Sequence, residues 1–235
     1  MLAVLALLLA LPLDEPKPAD AKPASARDAL KPFNLLVGSW KGTGAPEGTK
    51  EEKAAGLWTE TATWGWGFLD DDAWITISFN KSKHFTDGEL RYDPKKGEYR
   101  FVLTGTDKKK QTFVGTLKEK VLTLDRVDAP AGEDQRLVFG LLHHNRHLYR
   151  LETRTAGSAL GFTKMWQVGA TKEGVPFADV AKGPECVVSG GVGTSKVSYK
   201  GKDYYVCCTG CRDAFKDNPE KWIKEYEARL AKEKK

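Results

Sequence analysis

Histidine, cysteine and methionine are scarce in this chain, with four, four and two residues among 235. The short motifs that set a nucleophile, a base or a phosphate in a defined turn are missing as well. There is no Gly-x-Ser-x-Gly elbow, no phosphate loop, no Gly-x-Gly-x-x-Gly fingerprint and no His-Glu-x-x-His. Their absence removes the familiar hydrolase, nucleotide, dinucleotide and zinc-peptidase chemistries, so no enzymatic activity is expected. No apolar run is long enough to cross a bilayer, which leaves no membrane span in the mature chain. The charge of +5 is the residue of 37 basic and 32 acidic side chains spread along the whole length. Without a compact basic patch, that balance serves solubility and gives no nucleic-acid footprint.

What the chain does have begins with the apolar run Met1-Leu2-Ala3-Val4-Leu5-Ala6-Leu7-Leu8-Leu9-Ala10-Leu11-Pro12-Leu13, followed by small residues at Ala19 and Ala21. This is the length and order of a secretory signal peptide over residues 1–21, so an exported, periplasmic or secreted protein is expected. A buried N-terminal helix is the structural alternative. No cysteine follows the run to carry a lipid anchor. Residues 22–32 continue a stretch rich in Pro, Ala, Lys and Asp, expected to be a disordered tether.

From Phe33 to Val168 short alternating segments rich in Thr, Trp, Tyr, Phe and Val are separated by turn signals. In Ala73 to Phe79, Trp74, Thr76 and Ser78 share one face while Ile75, Ile77 and Phe79 share the other. Turns are expected at Asp70 to Asp72, Asp87-Gly88, Asp93 to Gly97, Asp107 to Lys110, Lys118 to Lys120 and Ala129 to Glu133. About ten strands result. Their order favours an antiparallel up-and-down barrel, because closure removes exposed edges.

The opening segment Leu35-Leu36-Val37-Gly38-Ser39-Trp40-Lys41-Gly42 resembles the start of lipocalin-like and nitrobindin-like barrels. That resemblance implies a Trp40 that plugs one end beneath a basic side chain of a late strand, for which Arg154 and Lys164 are candidates. It also implies a carrier of a small apolar ligand, or of haem held through a histidine. His143, His144 and His147 are the ligand-binding candidates, although their place around a hairpin turn equally suits ordinary polar turn residues. The aromatic set Trp58, Trp64, Trp66 and Trp74 suits either a ligand cavity or a packed core.

A linker is expected over residues 169–184, and all four cysteines lie beyond it, which argues for a second, small α+β unit over residues 185–235. There, a hairpin around Gly201 delivers Cys207 at a strand end, and Cys211 follows on the first turn of a helix. The helix N-terminus favours thiolate there, and a Cys-x3-Cys pair can converge on one ion with Cys186. Asn218 and Pro219 start a terminal helix with Trp222, Ile223, Tyr226 and Leu230 along one stripe. The run from Lys200 to Cys211, with Phe215 and Asn218-Pro219-Glu220-Lys221, resembles the YHS domain, a relative of TRASH-like metal-binding modules. The resemblance implies a transition metal, zinc or copper, on Cys186, Cys207 and Cys211. Ser189 departs from it, because many members carry a second cysteine there, and this leaves Cys208, a water or an outside residue as fourth ligand. Four cysteines in an exported protein can also form disulfides.

The expected fold is therefore mainly β, a barrel of about ten strands followed by a YHS-like module. The expected function is exported metal binding or metal handling. The alternatives are a lipocalin-like or nitrobindin-like carrier and an extracytoplasmic enzyme with an unfamiliar site.

Overall fold

The computed structural model describes residues 25–143, 145–174 and 183–233, so the expected signal peptide lies outside the described residues. Ten antiparallel strands close into a barrel in which each strand pairs with its sequence neighbours and the first pairs with the last. They are β1 (Gly38–Pro46), β2 (Trp58–Leu69), β3 (Asp72–Asn80), β4 (Phe85–Asp93), β5 (Glu98–Gly105), β6 (Lys110–Lys118), β7 (Val121–Arg126), β8 (Glu133–His143), β9 (Arg146–Thr155) and β10 (Thr163–Lys172). The barrel thus runs past residue 168 into the stretch expected as linker. Asp87-Gly88, expected as a turn, lies inside β4 beside a register shift. A Cβ on Gly88 would stand 2.5 Å from Leu103, so the glycine serves close strand packing. The other tight turns form as expected, with Asp70, Lys108 and Glu119 in the left-handed region.

The segment expected as a tether is ordered from Ser25 onward. The Ser25 hydroxyl accepts from the Asp28 N–H and caps a short helix, α1 (Ala26–Leu30), which passes into a 3-10 turn over Lys31–Leu36. Leu30, Phe33 and Leu36 are almost fully buried, and the Tyr99 hydroxyl donates to the Ala29 carbonyl at 2.7 Å. The apolar residues hidden among the prolines and lysines close one end of the barrel, and their burial overrides the local composition.

Trp40 sits at that end, its indole N–H donating to the Leu36 carbonyl. The cation above it is Lys172, 5.4 Å from the ring, rather than Arg154 or Lys164, which pair with Asp134 and Glu47. Inside, Trp64 contacts Phe101 and Phe139, and Phe139 stacks on Tyr149, so rings from β2, β5, β8 and β9 meet across the interior. Trp64 and Trp66 are core residues. Trp74 lies on the outer face, covered by the Arg91 guanidinium at 4.1 Å.

A short helix, α2 (Lys50–Ala55), bridges β1 and β2. The C-terminal unit contains the hairpin β11 (Ser195–Tyr199) and β12 (Lys202–Val206), then α3 (Thr209–Asp217) and α4 (Pro219–Glu233). Asn218 caps α4, its Oδ1 accepting from the Lys221 N–H at 3.1 Å. Trp222 of that helix faces both the unit and the barrel, donating to the Ala214 carbonyl and meeting Phe68 edge-on.

The unit is docked through α3. A Cβ on Gly210 would lie 1.6 Å from the Trp66 carbonyl oxygen, so only glycine permits this approach of helix to strand. Gly210→Ala is expected to destabilise the protein by about 1–3 kcal/mol despite alanine's better helix propensity. A urea midpoint equal to or above that of the parent would refute the tight contact.

Candidate metal centre

Three segments deliver the cysteines. Cys186 lies in a knuckle formed because Glu185 bridges Val192 and Cys186 bridges Tyr205, while Gly190 turns in the left-handed region at φ +76°. Arg229 of α4 fastens this knuckle by donating to the carbonyls of Cys186 and Val187 and pairing with Glu185. Cys207 follows the last residue of β12, Cys208 is the N-cap of α3, and Cys211 lies on its first turn.

The Sγ atoms of Cys186, Cys207 and Cys211 all lie within 4.8 Å of one another, with Cys207 and Cys211 3.5 Å apart. Three sulfurs each about 2.3 Å from one ion stand no more than about 4.6 Å apart, so the spacing suits a common soft metal. Cys186 and Cys211 are fully buried and Cys207 is 8% exposed. This is the one group of three potential ligands among the described residues.

Cys208 diverges from the trio. It is half-buried, its Sγ is 3.9 Å from that of Cys207, and it accepts from the Trp66 backbone N–H at 3.3 Å. The position beside the trio is taken by Ser189. Its hydroxyl is 3.3 Å from the Cys207 sulfur and its N–H donates to Cys186 Sγ at 3.4 Å.

The four thiols are not equivalent. Hydrogen bonds from Cys207 and Cys211 lower Cys186 and Cys208 against the opposing effect of burial. Cys207 is pushed up because it donates to Cys186 and Cys208, and Cys211 is pushed up first by burial. A soft cation would replace those shared protons.

The barrel contributes residues that the cysteine spacing could not reveal. Asn34 donates to the Ser189 carbonyl at 3.1 Å and accepts from the Trp66 indole at 2.9 Å. Lys172 donates to the Leu35 carbonyl, and burial lowers its ammonium. The sequence hint was slight: Gly191, which packs against Asn34, and Gly210, which packs against Trp66, both read as ordinary loop or helix-start glycines.

The histidines do not gather with the cysteines. His143 is exposed at the end of β8 and lies 2.9 Å from the Asn145 side-chain oxygen, while His144 lies outside the described residues. His147 points into the barrel, 2% exposed, with neither ring nitrogen hydrogen-bonded. Trp40 at 4.6 Å, Trp64, Phe139 and Tyr149 enclose its ring, and a haem would have to displace them. The residues around His147 therefore do not fit that group.

Residues 193–226 match the family model of the YHS domain, a span that includes Cys207, Cys208 and Cys211 but stops short of Cys186. No curated protein matches. Among solved structures, the chain is similar to the one titled "Crystal Structure of Rv2717c from M. tuberculosis". The identity is 18%, the match covers 62% of this chain and 97% of that one, and the TM-score is 0.37. The antiparallel barrel is consistent with a lipocalin-like label, and the C-terminal unit carries the YHS domain.

Burial holds the His147 imidazole down to about 3 from an ordinary 6.5. The unfolded chain takes up that proton below about pH 6.5 and the folded chain only near pH 3. The histidine's contribution is thus complete above pH 6.5 and lost as pH falls through that window, at up to about 1.4 kcal/mol per pH unit. His147→Phe should keep the fold and flatten this part of the stability profile. Equal slopes for variant and parent between pH 6 and 4 in urea titrations would contradict the assignment.

Proposed function

We propose that this protein is an exported metal-handling protein that holds a soft transition-metal ion, zinc or cuprous copper, on the thiolates of Cys186, Cys207 and Cys211. The observation that carries the proposal is the convergence of these three buried sulfurs within 4.8 Å of one another, two from the matched YHS span and one from the knuckle before it. Thiolate ligands favour zinc and cuprous copper over hard cations. When bound, the ion would supply the positive charge that the clustered sulfurs lack. The barrel then acts as the scaffold against which the module is held, and no chemical transformation is ascribed to either part. Export is supported by the apolar run before Ala21, and an intact Met1 on native protein would refute it.

The proposal ranks substitutions. Cys186→Ser, Cys207→Ser and Cys211→Ser should each abolish stoichiometric metal binding under reducing conditions, while Cys208→Ser should still bind one ion per chain. Metal content by mass spectrometry, read beside a thiol count, tests this. Retention of one ion per chain by Cys207→Ser, with its loss in Cys208→Ser, would overturn the ligand set.

A further inference from the structure

We propose that Cys208 is the exchange ligand of the thiolate site, the sulfur through which a soft metal ion enters and leaves the buried trio. The inference rests on the assignment of Cys186, Cys207 and Cys211 as the metal-holding set. Its own support is geometric.

The trio is closed. Cys186 and Cys211 have no exposed surface and Cys207 has little, so an ion carried by another molecule cannot meet them directly. Cys208 is the least buried of the four, and its sulfur is 3.9 Å from that of Cys207. One ion can bridge two sulfurs at that separation, since each metal–sulfur bond is about 2.3 Å long.

The chain direction explains why Cys208 is a neighbour of the trio and not its fourth member. Successive residues of extended chain face opposite ways, and Cys208 retains extended backbone at φ −158° as the N-cap of α3. The helix start and the Trp66 N–H both favour a negative sulfur there. A partly exposed position at a helix N-terminus is the environment of reactive cysteines, whereas fully buried cysteines are inert. The fourth side of the trio is meanwhile held by Ser189, whose neutral hydroxyl contacts Cys207.

The transfer balances without any change of oxidation state. An ion arrives bound to the sulfur of a low-molecular-weight thiol. The Cys208 thiolate forms a bond to the ion, and the bond to the carrier sulfur breaks, releasing the carrier as thiolate. Cys207 then bonds the ion and gives its proton to the carrier thiolate. As Cys186 and Cys211 complete the site, with the protons they carry passing to solvent, the bond to Cys208 breaks and restores its thiolate. Release runs the same steps backward.

The test uses the full chain, zinc as the probe, and stopped-flow measurement of zinc uptake from a chromophoric chelator and of zinc withdrawal by excess chelator. Cys208→Ser is expected to slow uptake and withdrawal alike, by at least about tenfold, with one ion still bound per chain. Faster withdrawal than in the parent would make Cys208 a retaining fourth ligand, and unchanged rates would make it a bystander. Either result overturns the proposal while leaving the trio as the binding set. Failure of the parent chain to bind zinc or cuprous copper at all would instead sink the metal assignment. A measurement on the unaltered protein covers the case in which the variant misfolds. After zinc loading, iodoacetamide should label Cys208 and spare the other three cysteines, and protection of Cys208 equal to theirs would refute its exchange role.

Discussion

The arrangement of the whole molecule depends on an unfinished strand edge. β1 stops pairing with β2 at Gly38 opposite Trp64, yet β2 continues beside β3 as far as Leu69. Beyond Trp64, backbone groups of β2 on the β1 side have no strand to bond, and a buried N–H without a partner is costly. The start of α3 fills the gap. A cysteine sulfur accepts the Trp66 N–H where a strand carbonyl would otherwise stand, and Gly210 lets the helix backbone come within van der Waals reach of Trp66. The same few residues that finish the barrel edge are the residues that begin the thiolate site.

From that contact follows a shared core. Cys186, Val187, Val188, Cys211 and Phe215 belong to one buried cluster with Leu30, Trp40 and Trp66. The knuckle around Cys186 is held from one side by Asn34 and from the other by Arg229. Any ligand that binds the folded trio more tightly than the unfolded chain stabilises the fold by mass action. Here that stabilisation would reach the barrel as well as the small unit, because the supporting groups around the sulfurs come from both. Neighbours that orient the ligand residues of a metal site matter nearly as much as the ligands themselves.

The parts legible in the sequence are those governed by local periodicity and spacing. Alternation in Ala73 to Phe79 marked a strand with one buried face, tight turns marked most hairpins, and the Cys-x3-Cys pair with Cys186 marked the site. The parts not legible depend on which surfaces meet. Nothing in the Pro-rich and Lys-rich start announces that Leu30, Phe33 and Leu36 close a barrel end, because their value lies in the cavity they cover. Lys172 is not a candidate cover for Trp40 in the sequence, because it falls in the stretch expected as linker, whereas β10 extends as far as Lys172. His147 looked like a turn residue two places from Asn145, but strand alternation turns it inward while His143 stays outside.

That inward histidine also bears on where the chemistry of the molecule resides. The middle of the barrel is spanned by rings, and its buried carboxylate, Glu60, is already engaged by the Tyr149 hydroxyl and the Trp58 indole. Burial and the neighbouring Glu60 keep Tyr149 protonated, and burial keeps His147 neutral. Another group of polar side chains lies at one rim of the barrel, where the cysteines, Ser189, Asn34 and Lys172 meet. A packed barrel gives that rim what a module of some fifty residues lacks, a rigid surface large enough to bury three sulfurs together. The packed interior and the proposed role of Cys208 are complementary: the first would keep the trio assembled, and the second would give an ion a way into it.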